Sequence, residues 1–259
     1  MSKNNFFLIA GPCVVESEQI CMDVAGHVSD ICHRLGIDYY FKASYRKANR
    51  SRLDSFTGIG DEAALDIIYK TGKHVNRPTL TDIHESNEAA LAAKFVDVLQ
   101  IPAFLCRQTD LLVAAGQTGK IVNIKKGQFL SADSMRFAVD KVISTGNKNI
   151  WLTERGTMMG YQDIIVDYRS IPTMKEIGFP VVLDITHSLQ QPNQTVGVTG
   201  GLPQLIETIA KCGVAAGVDG IFMETHPDPS KALSDGANML PLHKVEALLE
   251  KLLKIRTVL

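Results

Sequence analysis

A chain of 259 residues and 28.3 kDa is long enough for one large domain or two small ones. Its 27 Lys and Arg against 28 Asp and Glu give a formal charge of −1 and a pI near 6.7, which argues against a general nucleic-acid or anionic-membrane binder. With 45% hydrophobic and 21% charged residues the composition is that of a soluble globular enzyme, and global disorder is excluded.

Short apolar runs recur along the chain at 6–10, 39–43, 75–83, 96–101, 120–124, 150–152, 180–185 and 220–223. Their shortness and their aromatic and β-branched content predict strands. Between them, segments 20–35, 62–71, 85–94, 110–117, 134–144, 172–178, 203–213 and 242–256 place apolar residues three and four apart, the helical period. Cap-type residues at Thr81-Asp82-Ile83-His84-Glu85-Ser86 close one strand, and Pro203 after Gly200-Gly201 suits a first helical position. Strand then helix, eight times, predicts an α/β fold, a (β/α)₈ barrel forming a single domain over 1–259. A doubly wound open sheet is the alternative, but no Gly-x-Gly-x-x-Gly turn follows the first run.

Cys13, Cys21, Cys32, Cys106 and Cys212 form an odd set without metal-finger spacing, which reads as reduced thiols in a cytoplasmic protein. The apolar run at 6–10 is too short for a cleaved signal, and Pro12 and Glu16 follow at once. No window approaches the roughly 18 apolar residues of a membrane span.

In a barrel of this kind the functional groups sit at the C-terminal ends of the strands. Those ends carry Cys13, Lys42 with Ser44, Asp82 with His84, Gln100, Lys125, Glu154 with Arg155, Asp184 with His187, and Glu224 with His226. One stretch stands out: 41–52 packs Lys42, Arg46, Lys47, Arg50 and Arg52 into twelve positions, interleaved with Ser44, Asn49 and Ser51. Either it is a solvated loop or it grips a phosphorylated polyol, and a Lys in the phase of a core strand favours the second because a buried ammonium needs an anion. Lys42, Lys47, Arg50, Arg107, Lys125 and Arg155 together form a cation set that would repel itself unless dianions bind among them. Cys13, His187, Glu224 and Asp235 form a second set. A thiolate, an imidazole and carboxylates suit a divalent metal such as Zn²⁺, Fe²⁺ or Mn²⁺ better than Mg²⁺ or Ca²⁺, although a lone Cys or His is more often packed core.

Seven stretches stand out in chain order. They are Ile9-Ala10-Gly11-Pro12-Cys13 with Glu16-Ser17; Phe41-Lys42-Ala43-Ser44; Lys47-Ala48-Asn49-Arg50-Ser51; and Gln100-Ile101-Pro102-Ala103-Phe104-Leu105 with Arg107-Gln108-Thr109-Asp110. Asn123-Ile124-Lys125-Lys126-Gly127-Gln128-Phe129, Thr153-Glu154-Arg155-Gly156 and Met223-Glu224-Thr225-His226-Pro227 complete them. Together they closely resemble the 3-deoxy-D-manno-octulosonate 8-phosphate synthases. The resemblance covers nearly the whole chain and implies a homotetramer of TIM barrels. It implies a transferase that condenses phosphoenolpyruvate with D-arabinose 5-phosphate and water, for lipopolysaccharide biosynthesis. Sister 3-deoxy-D-arabino-heptulosonate 7-phosphate synthases, with Lys-Pro-Arg-Thr-Ser where this chain has 47–51, are the alternative, and a non-catalytic phosphate-sugar binder or an RNA-binding barrel is a more distant one.

By that resemblance Lys42, Ser44, Lys47, Gln100, Ala103, Lys125 and Arg155 hold phosphoenolpyruvate. Asn49, Arg50 and Ser51, with Arg107 reaching from a neighbouring subunit, hold the sugar phosphate. Lys47, Asn49, Lys125 and Asp82 are the candidate catalytic positions, Asp82 also as a carboxylate standing behind the metal. The family has a metal-independent branch with Asn in place of Cys13, so Cys13, His187, Glu224 and Asp235 imply the metal-dependent one. Arg46, Arg52 and Thr57 depart from the family pattern, which often has Asp, Ser and Arg there. Segment 188–202, long and poor in periodic apolar residues, is expected to be a lid over the mouth. Cys21, Cys32 and Cys212 are expected to pack within helices, and His27, His33, His74 and His243 to be structural or solvated.

Overall fold

A computed structural model describes residues 6–50, 52–159, 163–191 and 200–259. Its main sheet runs β1 (Phe7–Gly11), β2 (Asp38–Lys42), β3 (Thr79–Asp82), β4 (Val98–Ile101), β5 (Ile121–Lys125), β6 (Ile150–Glu154), β7 (Val181–Asp184) and β8 (Gly220–His226). Each strand pairs in parallel with the next, and β8 returns to β1 from Phe7↔Gly220 to Gly11↔Glu224. The sheet is therefore a closed barrel with no free edge. Gly11 lets β1 and β2 approach closely: a Cβ there would lie 1.9 Å from the Lys42 carbonyl oxygen of β2.

Helices fill the crossovers: α1 (Glu18–Leu35), α2 (Asp61–Val75), α3 (Ala89–Ala92), α4 (Thr109–Gln117), α5 (Met135–Ile143), α6 (Ser170–Lys175), α7 (Ile206–Ala215) and α8 (Val245–Arg256). Ser17 caps α1 by accepting from the Ile20 N–H at 3.2 Å. Most boundaries shift by one to three residues from the sequence reading, and two differences have a clear cause. The run at 75–83 starts too early, because α2 continues through Val75 and ends only where Asn76 adopts φ 50° and caps the last carbonyls. The helix expected over 85–94 splits into a 3₁₀ turn, Ser86–Glu88, and the single α turn of α3. Among the described residues, no helix is long and apolar enough to cross a membrane.

The strand period of two sorts side chains into two cores. Leu8 and Ala10, Tyr39 and Phe41, Leu99 and Ile101, Val122 and Ile124, Ile150 and Leu152 face outward into one apolar cluster with the helices. The opposite phase, Phe7, Ile9, Tyr40, Leu80, Val98, Trp151, Val182 and Phe222, forms a separate cluster inside the barrel. Trp151 stands at its centre, its ring 4.8 Å from Phe7 and 4.9 Å from Tyr40. Two residues further along in the same phase the chemistry changes on seven strands: Lys42, Asp82, Gln100, Asn123, Thr153, Asp184 and Glu224, all buried. An apolar floor thus carries a polar ring, and the ring underlies the mouth.

Candidate active site at the barrel mouth

A cavity of about 1340 Å³ opens at the C-terminal ends of the strands. Lys42, Lys47, Asn49, Arg50, Asp82, His84, Gln100, Ala103, Lys125, Arg155, His187 and Asp235 all line it. These include most of the positions singled out from the sequence. Ser44 lies behind the wall, fully buried. Arg107 is exposed and does not line this cavity, and Ser51 lies outside the described residues.

The cations do not stand as an uncompensated set, which corrects the expectation that only bound dianions could relieve them. Lys42 Nζ lies 2.7 Å from Glu224 Oε1, and Lys125 Nζ lies 2.7 Å from Asp184 Oδ2. Burial pushes the Glu224 carboxyl up, but Lys42, His187 and Lys47 outweigh it and hold the pKa below the usual range. Asp184 is depressed likewise: burial is outweighed by His187 and Lys125. Lys125 is lowered by burial, only partly offset by Asp184 and Asp82, and Arg155 is lowered mainly by burial. Lys47 behaves oppositely. Burial opposes its charge, yet Cys13, Glu224, Asp82 and Asp235 raise its pKa on balance, so it stays a cation. Arg155 donates to Gln190 Oε1 through Nη2, while its Nη1 has no hydrogen-bond partner among the described residues. The cavity therefore keeps cations beyond those neutralised inside the wall.

On the β1–β8 side, Cys13 Sγ and one carboxylate oxygen each from Glu224 and Asp235 lie within 4.8 Å of one another. His187 Nε2 approaches Glu224 Oε1 at 3.5 Å. Burial, reinforced by Asp235 and Glu224, pushes the Cys13 thiol up against the pull of Lys47 and Lys42. The sulfur sits 3.0 Å from Ser234 Oγ and 3.3 Å from Asp235 Oδ2. Cys13, Glu224 and Asp235 thus gather one sulfur and two carboxylates, donor types suited to Zn²⁺, Fe²⁺ or Mn²⁺, while His187, near Glu224, stands outside that cluster. The carboxylate behind the imidazole is Asp184, whose Oδ2 lies 2.7 Å from His187 Nδ1 and turns Nε2 toward Glu224. Asp82, expected in that place, instead accepts from Ser44 Oγ and Gln100 Nε2. The missed signal was local: Asp184 precedes His187 by three residues at a strand end, and its Oδ1 also takes the Thr186 and His187 N–H groups.

The basic stretch is a loop between β2 and α2, as the strand–loop–helix reading predicts. Arg46 and Arg52 face away from the chemistry. Arg46 clamps the loop by pairing with Glu88 and, at 3.3 Å, with Asp61. Arg52 makes a 2.6 Å surface pair with Asp54. Thr57 serves through its backbone, its carbonyl accepting from the Lys47 N–H at 2.8 Å. Arg50 crosses to the loop after β8, donating to the Leu233 carbonyl at 3.3 Å and lying 3.8 Å from Asp235 Oδ1.

Of segment 188–202, residues 192–199 lie outside the described residues, and with them most of the expected lid. Its ends pair as a short antiparallel ribbon, Gln190–Gln191 against Gly200–Gly201. Cys21 and Cys32 are buried in α1, but Cys212 is exposed on α7 and does not pack as expected. His27, His33, His74 and His243 are exposed.

Comparison with known proteins agrees with this geometry. The model of the DAHP synthetase I family matches residues 2–259. A protein of Cyanothece sp. is 50% identical over 254 residues, 98% of this chain and 93% of its own length. One from Koribacter versatilis is 52% identical over 253 residues, 96% and 91%, and one from Trichlorobacter lovleyi is 51% identical over 245 residues, 95% and 90%. All three bear the name 2-dehydro-3-deoxyphosphooctonate aldolase. The chain belongs to the DAHP synthetase I family.

Proposed function

We propose that the chain joins phosphoenolpyruvate to D-arabinose 5-phosphate and water, giving 3-deoxy-D-manno-octulosonate 8-phosphate and phosphate. The observation that carries this reading is identity of about half, across nearly the full length, to proteins named for the aldol chemistry of 2-dehydro-3-deoxyphosphooctonate. The cavity supports it, with cations and a metal-type donor set side by side.

The chemistry asks for what these residues offer. C3 of the enol phosphate attacks the aldehyde carbon, water adds at C2, and a carbon–oxygen bond at C2 breaks to release phosphate. Bringing two dianions together is most of the barrier, so fixed cations that neutralise both do much of the work. Lys42, Lys47, Lys125 and Arg155, with Gln100 and Ala103, hold phosphoenolpyruvate at the base. Ser44 acts from behind the wall, through Lys47 and Asp82. Asn49, Arg50 and Ser51 hold the sugar phosphate at the rim, with Arg107 supplied by a neighbouring subunit of a homotetramer. Lys47, kept protonated by the carboxylates around it, faces the aldehyde oxygen as it gains charge. Cys13, His187, Glu224 and Asp235 hold a divalent ion, which when bound supplies Lewis acidity to orient the aldehyde or to lower the pKa of water.

A phosphate-release assay over a panel of aldose phosphates, with and without a chelator, tests acceptor and metal together. D-Arabinose 5-phosphate should be turned over in preference to erythrose 4-phosphate; the reverse order would make the chain a seven-carbon synthase. Cys13→Asn should lower bound metal, and full metal content with metal-dependent activity in that variant would remove Cys13 from the ligand set.

A further inference from the structure

A chain of hydrogen bonds runs around the inside of the barrel from the basic loop to β6, and its direction is dictated link by link. The Lys47 ammonium only donates, so Ser44 Oγ accepts from it at 3.1 Å and passes its own hydrogen to Asp82 Oδ2. From the other side, Gln100 Nε2 donates to Asp82 Oδ1. Asn123 Nδ2 donates to Gln100 Oε1 at 2.8 Å, and Thr153 Oγ1 donates to Asn123 Oδ1 at 2.7 Å. Asp82 pairs in register with Gln100, and Gln100 with Asn123, so these three side chains stand abreast in one layer.

Asp82 faces Lys42 on β2, Lys47 on the basic loop, Lys125 on β5 and His84 just beyond its own strand, and it stays ionised. An ionised carboxylate accepts only, so Gln100 must turn its NH₂ to Asp82. Its carbonyl is then left for Asn123, and the Asn123 carbonyl in turn needs a donor. The Thr153 hydroxyl is that donor. Reversing either amide would set oxygen against oxygen in a buried site.

Gln100 lines the cavity, whereas Asn123 and Thr153 are fully buried and do not. An amide nitrogen carries two hydrogens, and Asp82 takes one of them. We propose that Asn123 and Thr153 are positioning residues that lock the Gln100 amide, so that it presents an N–H and never its carbonyl oxygen to the anion bound at the cavity base. The lock makes Gln100 selective for acceptors without giving it a charge. Taking that anion to be phosphoenolpyruvate rests on the function proposed above.

Thr153→Val keeps the side-chain shape and deletes the hydroxyl, while Thr153→Ser keeps the hydroxyl. Calorimetric titration of phosphoenolpyruvate into the full-length wild type and both variants reads the lock directly. Thr153→Val should weaken binding about tenfold, the scale of one lost polar contact, while Thr153→Ser stays within about twofold of wild type. The KM for the sugar phosphate, held at the rim, should stay within about twofold in both, by the rule that separated sites act independently. Asn123→Asp accepts from Thr153 but cannot donate to Gln100, and should weaken phosphoenolpyruvate by about 100-fold; should Thr153→Val fail to fold, this variant carries the comparison. Wild-type affinity in Thr153→Val or in Asn123→Asp overturns the proposal, as does an equal loss in Thr153→Ser. A wild-type chain that binds no phosphoenolpyruvate overturns it together with the substrate reading, and the control distinguishes that outcome from a failed lock.

Discussion

Tyr40 and Lys42 lie two residues apart on one strand, as do Phe222 and Glu224 on another, yet the two levels they mark are built differently. On the floor, Trp151, Phe7 and Tyr40 touch ring to ring within an apolar cluster, and shape is what each must satisfy. In the ring above, every side chain must find a partner of the right charge or hydrogen-bonding sense: Lys42 with Glu224, Lys125 with Asp184, Gln100 with Asp82. The floor contributes stability with little bearing on chemistry. A buried ion pair is the reverse, since apolar replacements of equal volume are often at least as stable, while breaking one partner is costly. Lys42 and Glu224 are therefore better explained by the site than by the fold.

Breaking that pair should give the largest effect. Glu224→Ala leaves the buried Lys42 charge, 1% exposed, without its ion-pair partner and with the Cys13 carbonyl still accepting from it, and removes a metal-type donor, so stability should fall by about 3–5 kcal/mol and turnover should vanish. Thermal unfolding and phosphate release check the two together. Trp151→Ala should cost about as much stability, 3–5 kcal/mol, with turnover per folded molecule largely kept; a selective loss of turnover would erase the distinction between floor and ring. Acid should act on the ring and not on the floor. Asp82, Asp184 and Glu224 have folded pKa values below their unfolded ones, so their stabilisation is complete above about pH 5 and is lost as pH falls through the carboxylate range toward those depressed values. Denaturation midpoints between about pH 6 and 2 should show a steep decline that flattens in Asp82→Asn but not in Trp151→Ala. The smallest effects lie in the basic loop. Arg46→Ala, which breaks the clamp to Glu88 and Asp61, should cost about 1–2 kcal/mol and raise the KM for the sugar phosphate, whereas Arg52→Ala should leave melting temperature and kinetics unchanged.

The fold was legible because strand and helix periods differ and each apolar run is short. The misplaced edge at Val75 has a plain cause: a β-branched residue next to a strand-like run conceals a helix whose end is set by Asn76 in a left-handed conformation. Residue types at the mouth were legible too, since barrel strand ends gather there. Their pairing was not. Lys42 and Glu224 are 182 positions apart and meet only because β8 closes on β1. The lock at Asn123 and Thr153 escaped for a related reason: each sits in the inward phase of its strand, but its partner lies on a neighbouring strand, and no motif spacing records a contact across a barrel.

The closed floor has a kinetic consequence. Phe7, Tyr40 and Trp151 fill the barrel below the polar ring, so the cavity has a base. Lys42 and Lys125 lie at that base, while Arg50 stands at the rim and reaches across to Leu233. A ligand seated below must arrive before, and depart after, anything held above it. Initial-rate patterns should then be those of compulsory-order addition, with the deep ligand leading and the rim ligand, at high concentration, trapping it in place.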